Sequence, residues 1–172
     1  AHLKEGDRLS LEDLLKGMLL ESGNDAAKAV ARSVAGSEDK FADMMNQTAK
    51  AIGASHSHFV NPDGLPDDNH YTCAYDMYVI FHNALKEKTF RNIIQAKKLD
   101  ATVTDKDGNS GVVTYKSTNL YFTGHIKAPD GIKVLGGKTG TTNAAGYCLV
   151  LLSKSRKTNQ EIITVVFKAD TR

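Results

Sequence analysis

Apolar residues recur every three or four positions through the first half of the chain and gather into continuous runs in the last third. Ser10 precedes the first periodic stretch, with Asp13 three residues on in a capping-box pattern. Leu11, Leu14, Leu15, Met18 and Leu19 then keep helical spacing. Gly23 breaks this helix. A second is expected from about Asp25 to Ala35, with Ala26, Ala27, Val30, Ala31 and Val34 on its apolar face and Gly36 at its end. Ser37 caps a third, with Phe41, Met44, Met45, Ala49 and Ile52 inward and Gly53 closing it. The segment Asn61–Asn69 is dense in turn formers. Thr72 then opens a helix carrying Ala74, Met77, Ile80, Phe81, Ala84 and Leu85, and a short helix is expected near Phe90–Gln95.

Beyond this point the period changes. Leu99–Thr104 and Val112–Tyr115 read as a hairpin across Asp105–Asn109. Gly137–Thr142, Gly146–Ser153 and Glu161–Lys168 read as three strands, the last two antiparallel across polar Lys154–Gln160. Tyr147–Leu152 and Ile162–Phe167 are almost uninterruptedly apolar, as in strands covered on both faces. The helices supply one cover, and little chain remains for the other. The pattern therefore predicts an α+β domain over residues 1–172, mainly helical over 1–95, with a hairpin and three sheet strands over 96–172. It contains no internal repeat or low-complexity linker.

Composition narrows the function classes. A chain of 172 residues with 41% hydrophobic and 24% charged residues is ordinary for a globular protein. A net charge of +2 is too balanced for a nucleic-acid footprint, and the basic run Lys154–Lys157 fits a polar hairpin tip. No apolar run approaches the roughly 18 residues of a membrane span, and no signal-peptide pattern is present. The chain starts at Ala1 rather than Met, which fits a processed or truncated product. Cys73 and Cys148 fit no metal spacing and read as two buried thiols rather than a disulfide. His56-Ser57-His58 is the closest histidine pair, but no HExxH or CxxC accompanies it, so neither a metal nor a cofactor is expected.

Two short stretches carry candidate chemistry. In Gly136-Gly137-Lys138-Thr139-Gly140-Thr141-Thr142, glycines let a ligand approach the backbone, and an edge strand can pair with an extended peptide. Lys138 and Thr139 would then offer charge and a hydroxyl to a carboxylate. The phosphate-loop alternative needs GxxxxGK[ST], which is absent. Ser22-Gly23-Asn24 lies at the break between two helices, where a hydroxyl and an amide can project into a cleft. The plainer reading is a helix stop followed by a cap. Ser117-Thr118-Asn119 repeats the pattern elsewhere, so neither motif is informative alone.

Their order is informative. A Ser-x-Asn followed more than a hundred residues later by Lys-Thr-Gly resembles the penicillin-recognising serine enzymes. The stretch Leu14–Ala27, then Phe59-Val60-Asn61-Pro62-Asp63-Gly64-Leu65, Tyr71-Thr72, Ala74–Met77 and Asp130–Tyr147, is similar to the serine D-alanyl-D-alanine carboxypeptidases, the low-molecular-weight penicillin-binding proteins. The resemblance covers nearly the whole chain. It implies a β-lactamase/transpeptidase-like fold, with an antiparallel sheet between helical clusters and the active site at the sheet edge. It also implies a serine attack on the D-Ala-D-Ala bond of a peptidoglycan stem peptide outside the cytoplasm, with β-lactams acylating the same serine. Ser22 would relay a proton to the leaving amine, and Asn24 would orient the catalytic lysine and the substrate. Lys138 would supply positive potential. Thr139 and Gly140 belong to the substrate-binding strand, Thr139 taking the terminal carboxylate. The Thr141 backbone N–H would form half of an oxyanion hole.

One part of the family pattern is missing. No Ser-x-x-Lys precedes Ser22. The single match, Ser37-Glu38-Asp39-Lys40, lies on the wrong side and reads as a helix cap with acidic first-turn residues. The chain is therefore expected to be a fragment without its nucleophile, inactive alone, with any membrane anchor elsewhere in the protein. The family often has an arginine shortly after the last strand, and Arg172 lies near that position. The alternatives are a catalytically dead homologue that binds cell-wall peptide or protein, and a β-lactamase on the same scaffold.

Overall fold

The computed structural model describes residues 1–170. Helix α1 (Leu11–Leu20) begins at Ser10, whose Oγ accepts from the Asp13 N–H at 3.1 Å. The reciprocal half of the capping box is not made. The Asp13 carboxylate instead accepts from Lys16 Nζ at 2.7 Å and faces the Thr102 N–H at 3.4 Å. Helices α2 (Asn24–Ala35) and α3 (Glu38–Ala51) follow, with Gly36 in a left-handed conformation ending the first and Ser37 Oγ capping the second. The next helix, α4 (Ala74–Ala84), starts two residues later than expected. Cys73 is its cap, because the Thr72 hydroxyl is turned away to Ser57 Oγ at 2.7 Å. Helix α5 spans Lys88–Ile94.

Strands β1 (Lys98–Thr104) and β2 (Ser110–Lys116) form the expected hairpin. A one-turn helix, α6 (Leu120–Thr123), was not anticipated, since four residues are too few to show a period. Strands β3 (Ile132–Thr142), β4 (Gly146–Ser155) and β5 (Glu161–Ala169) form an antiparallel sheet in that order. The first starts five residues earlier than the sequence suggested and continues through a bulge between Val134 and Gly136.

Two apolar clusters hold these elements together. Phe81, Leu85 and Ile94 pack under Val150 and Leu152, seating α4 and α5 on the sheet. Leu20, Ile93, Ala101 and Tyr115 tie α1 and α5 to the hairpin. Adjacent residues of α5, Ile93 and Ile94, thus serve different clusters. This helix fixes the position of α1 relative to β3, the two elements that carry the candidate chemistry. Gly136 permits that approach, because a Cβ there would lie 2.5 Å from the Ile94 carbonyl oxygen. At Gly137, with φ of 155°, a Cβ would collide with the Val150 carbonyl.

Two expectations about burial are corrected. Val34 and Met44, expected inward, are 48% and 43% exposed. The sheet is also not covered on both faces throughout. Val150, Leu151, Leu152 and Ser153 of β4 are buried, but β5 alternates, leaving Ile162 and Val166 about 40% exposed. One face of that strand packs on the helices, and the other meets solvent.

Candidate active site

Helices α1 and α2 are separated by three residues, Glu21, Ser22 and Gly23. Ser22 lies in the left-handed region with φ of 57°. A non-glycine residue there carries roughly 1–2 kcal/mol of backbone strain. Its neighbours hold the kink. The Gly23 N–H reaches the Gly17 carbonyl at 3.2 Å, and the Thr118 N–H takes the Leu20 carbonyl at 3.1 Å. The result is an exposed hydroxyl at the mouth of a helix break, with Asn24 beside it at the start of α2.

Opposite stands β3. It pairs only with β4, so its other backbone edge is free of strand partners among the described residues. Lys138 donates from Nζ to Ser22 Oγ and to the Thr139 carbonyl, the latter at 2.6 Å. Among the described residues no carboxylate forms an ion pair with it. Burial without a counter-ion pulls its pKa down from 10.5 to about 8. Near neutral pH the amine is still mostly cationic, yet it sheds its proton far more readily than a surface lysine. The Thr139 hydroxyl is held at 2.6 Å by the hydroxyl of Thr118.

All six residues singled out from the sequence, Ser22, Asn24, Lys138, Thr139, Gly140 and Thr141, line one cleft of about 600 Å³. Six other lining residues were not named as site residues: Thr142 and Tyr147 on β3 and β4, and four from outside the sheet. Thr118 belongs to the second Ser-x-Asn segment, which the sequence offered only as a sign of how common that pattern is. Asp63, Gly64 and Leu65 come from the turn-rich loop. That loop is stapled to itself, Asn61 Nδ2 donating to the Leu65 carbonyl at 2.9 Å and Asn61 Oδ1 accepting from the Gly64 N–H at 2.8 Å. It is tied to α2 by Lys28, whose Nζ lies 3.5 Å from the buried Asp63 carboxylate. An Asn-Pro-Asp-Gly run signals a turn, and nothing in it signals which cleft the turn will border.

The Ser37 motif is a helix cap. Its Oγ accepts from the Lys40 N–H at 3.2 Å, the Lys40 side chain is exposed, and Ser37 does not line the cleft. Ser22 is the only serine among the residues lining it. Both cysteines are free thiols, but each is half-buried rather than fully buried. Arg172, weighed as a possible site residue, lies outside the described residues.

Known proteins share the sequence and fold of this chain. The sequence profile of the family described as D-alanyl-D-alanine carboxypeptidase matches residues 1–171. The chain is 34% identical over 171 residues to D-alanyl-D-alanine carboxypeptidase DacF of Bacillus subtilis, covering 98% of this chain and 40% of that protein. It is 31% identical over 170 residues to DacD of Escherichia coli, with the same two shares of 98% and 40%. Among solved structures, the Streptomyces K15 DD-transpeptidase superposes with a TM-score of 0.85 at 30% identity, over 99% of this chain and 64% of that one. The chain thus spans about two-fifths of the length of these curated relatives and carries the helix-plus-antiparallel-sheet fold of the transpeptidase. With the profile matched from its first residue to the last but one, the chain belongs to the D-alanyl-D-alanine carboxypeptidase family.

Proposed function

We propose that this chain is the Ser-x-Asn and Lys-Thr-Gly portion of a serine-type D-Ala-D-Ala carboxypeptidase. Such an enzyme acts on peptidoglycan stem peptides outside the cytoplasm and is acylated by β-lactams. The observation that carries this reading is the hydrogen bond from Lys138 Nζ to Ser22 Oγ across the cleft, beside the open edge of β3. That edge suits an extended peptide ending in a carboxylate. Backbone groups of β3 would pair with the peptide, and the Thr139 hydroxyl and the Lys138 cation would meet its terminus.

In this reading a serine from outside the chain attacks the carbonyl of the penultimate D-Ala. The C–N bond breaks as an ester forms, and the departing D-Ala amine takes a proton through the Ser22 hydroxyl. Water then hydrolyses the ester, releasing the shortened peptide. Asn24 orients the incoming amide, and the Thr141 N–H faces the developing oxyanion. A lysine whose proton is lost near pH 8 is a suitable member of such a relay. No described helix is long and apolar enough to cross a membrane. Nucleic acid is not an expected partner of a site that pairs one half-buried cation with hydroxyls and a free strand edge.

Intact mass after incubation with a penicillin tests the reading. The expected result is no adduct on residues 1–172 and one adduct on the full-length protein, mapped to a serine preceding Ala1. An adduct on Ser22 would make Ser22 and Lys138 the nucleophile and base. No adduct on the full-length protein would leave a binding homologue without turnover.

A further inference from the structure

Away from the cleft, the fold assembles three residues that no sequence motif links. His56 lies in the turn after α3, Cys73 caps α4, and Asp76 is in the first turn of α4. One ring nitrogen of His56, Cys73 Sγ and a carboxylate oxygen of Asp76 all lie within 4.8 Å of one another. We propose that these three side chains form a binding site for a zinc-class divalent transition-metal ion, with water in the remaining position.

The Asp76 carboxylate carries the argument. Asp76 is fully buried, and its two oxygens are treated differently. Oδ2 is saturated, accepting from the His56 N–H at 2.6 Å and from Ser57 Oγ at 2.8 Å. Oδ1 is buried with no hydrogen-bond partner, and it faces His56 Nδ1 at 3.6 Å. A buried carboxylate oxygen without a donor costs free energy unless a cation meets it. Thiolate, imidazole and carboxylate together form a donor set for zinc rather than for calcium or magnesium.

The geometry needs only small movements. A tetrahedral ion with bonds of about 2.0–2.3 Å holds its ligand atoms roughly 3.3–3.8 Å apart. The His56 side chain is 76% exposed, so its ring can swing inward. Its other neighbour there is Ser55 Oγ at 3.5 Å. Asp76 is already oriented by Ser57, itself held by Thr72, in the way outer-shell partners orient metal ligands. The Asp76 N–H points at Cys73 Sγ at 3.5 Å, so a bound thiolate would keep that donor. The ligands bracket residues 57–72, whose tip lines the active-site cleft, and the bound ion would clasp the base of that loop. The inference stands whether or not the carboxypeptidase reading does.

Zn2+ titration of the purified chain against a chromophoric chelator tests it, with Co2+ absorption reporting thiolate ligation. One equivalent should bind, and a thiolate-to-cobalt charge-transfer band should appear. His56→Ala changes an exposed side chain, and Cys73→Ser keeps a helix cap, so both should stay folded by circular dichroism. Each should weaken Zn2+ binding at least about tenfold, and Cys148→Ser should leave it unchanged. A rise in Tm with Zn2+ should be present in the parent chain and lost in both ligand variants. Absence of binding, or binding that His56→Ala or Cys73→Ser leaves intact, would overturn the assignment.

Discussion

The chain contains the tripeptide Ser-x-Asn twice on the cleft-forming scaffold, and the two copies behave as opposites. Ser22-Gly23-Asn24 is exposed at both polar side chains, with Ser22 held in a strained left-handed conformation. Ser117-Thr118-Asn119 is closed in on itself. Ser117 and Asn119 are 8% and 2% exposed, Ser117 Oγ accepts from the Asn119 N–H, and Asn119 Oδ1 caps α6 by accepting from the Tyr121 N–H. The first copy faces the Lys138 amine. The second supports it, since the Thr118 amide takes the Leu20 carbonyl two residues before Ser22, and the Thr118 hydroxyl holds Thr139. A tripeptide becomes a site residue or a brace according to what stands across from it.

The largest expected effect breaks the exposed copy from its partner. In the full-length protein, Lys138→Met should slow penicillin acylation by roughly 10²–10³-fold, the usual loss when one charge-stabilising group leaves an active site. It should not cost stability. The folded-state pKa of Lys138 is depressed, to about 8 from 10.5, so the protonated form is disfavoured by folding. Below about pH 8 both states hold the proton, and the folded state carries the full desolvation cost. Between about pH 8 and 10.5 only the unfolded state holds it, so stability rises with pH through that window. Met removes the cost, and Tm at pH 7 should rise or hold. In the parent protein, binding of a carboxylate-bearing ligand should weaken as pH climbs through about 8. A flat profile from pH 7 to 9 would remove Lys138 from the anion site.

Much of the fold was legible because it rests on local rules. Ser10 and Ser37 cap the helices they were expected to cap, Gly36 ends α2, and the hairpin closes between Asp105 and Asn109. That the six candidate residues belong together was legible as well, through the order of two motifs and the sequence around them, and they line one cleft. What escaped depends on tertiary contact. Thr118 cannot be told from any other hydroxyl until β3 is placed against it. The Asp63 loop reads as a turn until Lys28 draws it to α2. His56, Cys73 and Asp76 have no metal spacing along the chain, and the turn after α3 alone brings them together. The capping box at Ser10 was half wrong for the same reason, since the hairpin competes for Asp13.

A smaller pair of effects sharpens the comparison by stability. Asn119→Ala removes the cap of α6 from a buried position and leaves the Tyr121 N–H without its acceptor. It should destabilise the chain by about 1–2 kcal/mol. Ser22→Gly should do the reverse, relieving the left-handed strain for a gain of about 1 kcal/mol while lowering acylation of the full-length protein. Denaturant midpoints of both variants measure this directly. Equal signs would mean that the two copies are not a site residue and a brace.

The finest test separates the two roles of Thr118. Thr118→Val keeps its shape and its amide bond to the Leu20 carbonyl but deletes the hydroxyl that meets Thr139 at 2.6 Å. If that hydroxyl orients Thr139 toward a ligand carboxylate, affinity should fall by about 2–10-fold, corresponding to one lost hydrogen bond of about 0.5–1.5 kcal/mol. Stability should barely change, because Thr118 is only half-buried and Thr139 borders an open cleft. Unchanged affinity with a lower Tm would instead make the pair a strut between the α6 segment and β3. Thr118 would then serve the fold alone, and the second tripeptide would have no part in ligand binding.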